Sequence, residues 1–303
     1  MRIGLFESSA TTGGTIDDHI AAAATAHEQG FASWWMPQIF GFESLSVLAI
    51  VGREVPGIEL GTAVVPTYPR HPVTMAQLAL TAQAASGGRL TLGIGLSHQI
   101  VIENMFGLSY AHPARHLAGY LDALLPLLRG EAASTTGDAY AVQASLSLPP
   151  GIAAPPVLVA ALGPRLLELA GRLTAGTVTW MTGPTTLADH IVPSITAAAE
   201  AAGRPAPRVV AALPVCVTAD EDAARARCAK VFEMYGFLPS YRAMLDREGA
   251  AGPADVAIVG SAATVRERIA ALAEVGVTDF VGVEYAADPA EIADTRAVLR
   301  SLL

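Results

Sequence analysis

Two short apolar runs, VLVAALGP over Val157–Pro164 and GTVTWMTGP over Gly176–Pro184, each break into a Gly-Pro turn ahead of a helical stretch. Small residues at such a turn leave the backbone N–H groups of the next helix N-terminus open to an anion. The pair therefore predicts a ligand held by a phosphate. Proton chemistry points instead to His98, which follows the run GIGLS, because an imidazole titrates near neutral pH and can pass a proton as a bond is made or broken. His98 is read as a general acid, the alternative being a hydrogen bond to the bound ligand or to a neighbouring loop. Glu7 and Glu284 also close apolar runs, but carboxylates there more often anchor loops. His112 and His116 have a helical metal-binding spacing, yet Pro113 starts the helix between them and neither HExxH nor a third ligand accompanies them. Capping and surface roles are expected for both, and no metal site is assigned. GIGLS lacks the GK[ST] ending of a nucleotide-hydrolysing loop.

These residues need a frame, and the chain supplies a repeating one. Arg2–Phe6 reads as a strand, and Thr15 with Asp18 makes a capping box for a helix ending near Gly30. Strand-like runs recur at Ala32–Met36, Ile58–Val65, Leu90–Gly93, Val209–Val217 and Asp279–Val283, in addition to the two opening segments. Helical stretches alternate with them, among them one opened by Pro72 and one opened by Pro113, whose Leu117, Leu121, Leu124 and Leu128 fall on one face. About eight alternations predict a (β/α)8 TIM barrel, taken as a single domain over residues 1–303. A doubly wound open sheet would carry a glycine-rich fingerprint after the first strand, and Glu7–Gly14 does not have it. In a barrel the loops after the strands build the site, so Glu7, Gln38, Thr62–Pro66, Gly95–His98, Ala160–Pro164, Trp180–Thr182 and Glu284 are expected to converge. Leu96, Trp180, Met181 and Tyr68 are expected to line the mouth. Three long connections, Ser97–His112, Gly130–Pro156 and Gly236–Ala257, are expected to select the substrate.

Composition narrows the partners. With 52% hydrophobic residues the chain can bury a large core, and no run is long and apolar enough to span a bilayer. A formal charge of -9 argues against a nucleic-acid partner. The start, MRIGLFESS, lacks the apolar core of a signal peptide, and two isolated cysteines suit reduced thiols, so a cytoplasmic protein is expected. Lys230 is the only lysine, so none is expected at the mouth to hold a substrate phosphate.

The succession ELGTAVVPTYPRHP, GGRLTLGIGLSHQ, VLVAALGP and GTVTWMTGP, with VTDFVGV near the end, resembles the luciferase-like monooxygenase superfamily and, within it, the actinobacterial branch of coenzyme F420-dependent oxidoreductases. The resemblance implies hydride transfer at a deazaflavin ring carbon, with coenzyme F420 as cofactor and a small, neutral or apolar organic substrate. It also implies a homodimer. It places a non-proline cis peptide within Thr62, Ala63 and Val64, behind the ring. Gly95, Ser97 and His98 match the ring-contacting stretch. Ala160, Ala161, Leu162, Gly163 and Pro164 match the phosphate-binding turn, to which Arg165 can add charge, and Met181 with Thr182 matches the linker-binding turn. Gln38, after SWWMP, stands where related deazaflavin enzymes carry an Asp-His pair; Pro37 replaces the acid, and Gln38 is kept as a catalytic and ring-contacting candidate. Two alternatives share the barrel: an FMN-dependent monooxygenase served by a partner reductase, and a cofactor-binding barrel without turnover.

Overall fold

The computed structural model describes residues 1–7, 13–137 and 139–303, so part of the Glu7–Gly14 segment lies outside the described residues. Eight strands form a ring: β1 (Arg2–Phe6), β2 (Ser33–Met36), β3 (Glu59–Thr62), β4 (Leu90–Gly95), β5 (Val157–Val159), β6 (Gly176–Trp180), β7 (Arg208–Val217) and β8 (Asp279–Glu284). Every neighbouring pair is parallel, and β8 returns to β1 with Asp279 beside Arg2 and Phe280 beside Ile3. The closed (β/α)8 barrel expected from the alternation is therefore the fold. Helices such as Ile16–Glu28, Pro72–Ala85, Pro113–Leu128, Pro164–Leu173 and Pro289–Arg300 wrap it. Among the described residues no helix is long and apolar enough to cross a membrane.

Strand period divides the core in two, because successive side chains point to opposite faces. Trp35, Leu158, Val178, Val210, Ala212, Val281 and Val283 form the cluster inside the ring. Their neighbours Trp34, Val159, Val209, Ala211 and Phe280 pack outward with the helices. Adjacent tryptophans thus serve different layers, as the alternation requires. Room for the Trp35 indole comes from glycine: a Cβ on Gly61 would lie 2.2 Å from that ring, and one on Gly4 would lie 2.3 Å from Ser33 Oγ. The indole Nε1 donates to Ser33 Oγ at 2.8 Å, so the polar edge is satisfied inside the barrel.

Several elements differ from the sequence-based expectation. The run Ile58–Val65 is two pieces, β3 and Val65–Pro66, the second pairing with the end of β4. The region between β7 and β8 holds, besides helices, a short strand, Ile258–Gly260, paired with the end of β7. Its three residues are too few for a period to reveal. The long connections are structured: Gln99–Asn104 is helical, Ala133–Thr136 pairs with Ala141–Ala144, and Pro239–Glu248 is a helix.

At the strand-start end of the barrel lies an ion network. Arg208 holds Asp279 with two bonds, Nε to Oδ2 at 2.9 Å and Nη2 to Oδ1 at 2.6 Å, and donates from Nη1 to Glu59 Oε1 at 2.7 Å. Arg2 pairs with Glu59 on the outer side and approaches Asp279 at 3.5 Å.

Candidate active site

At the opposite end, three strand ends are drawn together. β3 stops at Thr62, the Ala63–Val64 peptide is cis, and the chain resumes as Val65–Pro66. Thr62 Oγ1 donates to the Gly93 carbonyl at 2.7 Å and accepts the Gly93 N–H at 2.8 Å. A side chain on Gly95 has no space: its Cβ would stand 2.6 Å from Val64 Cγ2 and 3.2 Å from Ala160 Cβ. Thr62, Ala63, Val64, Gly95 and Ala160 therefore form one cradle, which is why glycine is required on β4. Ser97 then adopts a left-handed turn at φ 60° and delivers His98 to the N-cap of the Gln99–Asn104 helix. His98 makes no side-chain capping bond there, and its ring lies 5.5 Å from that of Tyr241. Burial pushes its pKa below the ordinary imidazole value, which favours the neutral ring.

Other expected residues are spent on structure. Gln38 Oε1 accepts the Ser44 N–H at 2.7 Å, which ties the loop after β2 to the next helix, and its Nε2 donates to the Ile39 carbonyl within the loop at 3.3 Å. Glu284 is paired with Arg296 of the closing helix, and buried Glu7 lies 3.8 Å from His19 in the helix layer. Leu96 and Met181 are buried in the larger core cluster, against which Trp180 and Tyr241 also pack.

The two Gly-Pro turns have different fates. After β6, the N–H groups of Thr185 and Thr186 reach the Glu248 carboxylate at 3.1 and 2.7 Å, so the chain's own anion occupies that helix terminus. After β5, the Pro164–Leu173 helix starts at Gly163 with no side-chain cap, and the Pro113–Leu128 helix starts at His112 in the same way. Both starts face one groove of about 560 Å³ lined by His112–Arg115 and Gly163–Leu166. Arg115 and Arg165 line it, and among the described residues no carboxylate does. Among the described residues nothing lies within 4 Å of where a Cβ on Gly163 would stand. His112 thus contributes to this groove and makes no capping bond, contrary to the capping role expected for it.

His116 likewise departs from the surface role expected of it. Its ring stacks on Tyr68 at 3.7 Å, lies 5.8 Å from Tyr120, and bonds to Thr67 Oγ1 through Nε2 at 2.9 Å. Burial lowers its pKa from 6.5 to about 4. The folded state therefore holds a neutral imidazole, and the stability gained from it is complete above pH 6.5 and lost as the pH falls toward about 4. Thermal unfolding midpoints followed between those two values should fall less in His116→Gln than in the parent chain.

Over the barrel axis the mouth is aromatic. Phe6 stacks with Trp180 at 6.2 Å, and Trp180 meets Phe232 and Tyr235 edge-on at 5.5 and 5.7 Å. Tyr235 meets Tyr241 edge-on at 5.2 Å. Trp180 Nε1 is buried without a hydrogen-bond partner, an orphan donor at the point where strand ends converge. Only Trp180 of this set was expected at the mouth from sequence. Phe232, Tyr235 and Tyr241 sit on irregular or helical segments whose direction no local pattern gives.

A barrel with strand-end turns, a third strand interrupted at a cis peptide and an arginine-lined groove can be placed among known proteins. Residues 1–279 match the family described as luciferase-like monooxygenase. The chain belongs to that family. This luciferase-like protein is 30% identical over 243 residues to 5,10-methylenetetrahydromethanopterin reductase of Methanolobus tindarius, which spans 79% of this chain and 73% of that protein. Its fold matches the coenzyme F420-dependent tetrahydromethanopterin reductase of Methanopyrus kandleri with a TM-score of 0.80 at 21% identity, covering 99% and 96% of the two chains. It also matches, with a TM-score of 0.79 at 19% identity and the same coverage, the oxygenating constituent of 3,6-diketocamphane monooxygenase of Pseudomonas putida in complex with FMN.

Proposed function

We propose that this luciferase-like protein is an oxidoreductase that binds coenzyme F420 across the barrel mouth and exchanges a hydride with a small, neutral or apolar organic substrate. The observation that carries the reading is the pair of uncapped helix starts, with Arg115 and Arg165, opening on one groove beside the Thr62–Val64, Gly95 and Ala160 cradle. An anionic tail fits the groove, and the ring is placed against the close-packed strand ends at Val64, Gly95 and Ala160. A relative from Mycobacterium tuberculosis named a putative coenzyme F420-dependent oxidoreductase, 31% identical over 105 residues, supports the deazaflavin over FMN.

When bound, the deazaflavin supplies a ring carbon that accepts or donates hydride. The chain does the rest. Thr62, Ala63, Val64, Gly95 and Ser97 support the ring; Ala160, Ala161, Leu162, Gly163, Pro164 and Arg165 hold the phosphate; Met181 and Thr182 hold the linker. His98 moves the proton. Because burial favours its neutral form, a ring nitrogen of His98 is ready to accept a proton from a substrate hydroxyl, and the protonated ring acts as the acid in the reverse direction. Gln38 holds the loop beside the ring. The reading includes one domain over residues 1–303, a homodimer, a cytoplasmic setting, and no nucleic-acid or membrane partner.

Arg165→Gln is expected to weaken coenzyme F420 binding by about tenfold, the size of one lost charge-assisted contact, with a smaller ratio at high salt. Titration calorimetry with coenzyme F420 and with FMN tests both the residue and the cofactor. Tighter binding of FMN would favour the monooxygenase reading, in keeping with the FMN-bound neighbour. Binding of coenzyme F420 without any hydride exchange would favour a barrel without turnover.

A further inference from the structure

A second groove, of about 450 Å³, opens on the other side of His98, between the Gln99–Asn104 helix and Leu238–Ser240. We propose that this groove is the substrate channel, and that Glu103 makes it select apolar organic molecules that carry no negative charge. The proposal rests on the oxidoreductase reading above and adds to it a location and a selectivity residue.

The groove has the volume of a small-molecule site, and His98 stands in its wall where a proton would be exchanged. Ile100 and Leu238 supply opposing apolar surfaces. Ile100 is 59% exposed, and Phe237, next in the chain to the lining residue Leu238, is 77% exposed. Tyr110 completes the wall and is fixed in three ways: its hydroxyl donates to the Ser97 carbonyl at 3.2 Å, its N–H reaches Glu103 Oε1 at 3.4 Å, and its ring stacks on Tyr68 at 5.1 Å. Gln99 Nε2 donates to Glu103 Oε2 at 3.1 Å, which holds the carboxylate on the groove side of its helix turn.

Charge decides the class of ligand. Among the described residues, Glu103 is the one lysine-, arginine-, aspartate- or glutamate-type side chain lining this groove, whereas the groove at Gly163 is lined by Arg115 and Arg165. The mouth therefore has an electropositive side and an electronegative side. An anionic cofactor tail is drawn to the first, and an anionic substrate is disfavoured at the second, so the two ligands are sorted by sign. An anionic substrate would meet Glu103, and among the described residues no lysine or arginine lines the channel to offset it.

The test uses three acetophenones of similar shape with a 4′-tert-butyl, a 4′-trimethylammonio or a 4′-carboxylate group. Binding to the full chain is followed through the methyl resonances of Ile100. The tert-butyl and trimethylammonio probes should shift Ile100, and the carboxylate should bind about tenfold more weakly than either. Glu103→Gln keeps an acceptor for Tyr110 and removes the charge, so it should narrow that gap to about threefold or less while leaving coenzyme F420 affinity unchanged. Equal binding of the carboxylate, a gap that persists in Glu103→Gln, or failure of the neutral probe to shift Ile100 would overturn the proposal. Coenzyme F420 titration separates the two readings: probe discrimination without cofactor binding defeats the cofactor assignment alone, and cofactor binding without probe discrimination defeats the channel alone.

Discussion

His98→Gln is expected to lower turnover by about 10²- to 10³-fold, the usual share of a positioned acid or base, while coenzyme F420 affinity changes by about threefold or less. The substitution is structurally mild. His98 gives no side-chain cap to its short helix, and its ring meets Tyr241 at 5.5 Å without filling a closed core. The pH dependence carries the sign of the role. Since burial holds the pKa below 6.5, oxidation of an alcohol should rise with pH through that lowered value and level off at neutral pH. Reduction of the matching ketone should run the other way, requiring the protonated ring. Single-turnover absorbance of the deazaflavin resolves both limbs. Full turnover in His98→Gln with the same pH limb would assign the proton to another group and leave His98 a contact residue.

Arg208→Met should destabilise the fold by about 3–5 kcal/mol, the cost of leaving buried carboxylates without their cation. Asp279 has a side chain only 2% exposed, and Arg208 supplies its bidentate partner while also binding Glu59. Arg2 touches the same two carboxylates, but its side chain is 44% exposed, so Arg2→Met should cost about 1 kcal/mol or less. Urea unfolding of the two variants separates these values. The network sits at the strand starts, away from the mouth, so folded Arg208→Met should bind coenzyme F420 as the parent chain does. A loss equal to that of Arg2→Met would mean that the central guanidinium adds nothing the outer one lacks.

Sequence reading reached the frame because its signals are local. Strand and helix periods repeat along the chain, and Thr15, Pro72 and Pro113 mark helix starts by their own conformational limits. The cis peptide that the family resemblance, and no local period, implied within Thr62–Val64 lies at Ala63–Val64. The alternation of Trp34 and Trp35 between layers followed from period two.

What stayed hidden joins residues far apart in the chain. Arg208 meets Glu59 across 149 positions, and nothing near either residue announces the other. Glu248 reaches back to the turn after β6 from 62 residues away and closes one of two turns that look alike in sequence. His112 and His116 suggested a metal pair or surface positions, yet the first faces an arginine-lined groove and the second is stacked between tyrosines. The sequence by itself determined the barrel, the layer each strand residue faces, and the turns at the strand ends, because backbone geometry and side-chain period act over a few residues. Only the tertiary structure decided which turn stays open to an anion, where opposite charges divide the mouth, and which histidines are held neutral, because desolvation and Coulomb attraction depend on neighbours in space.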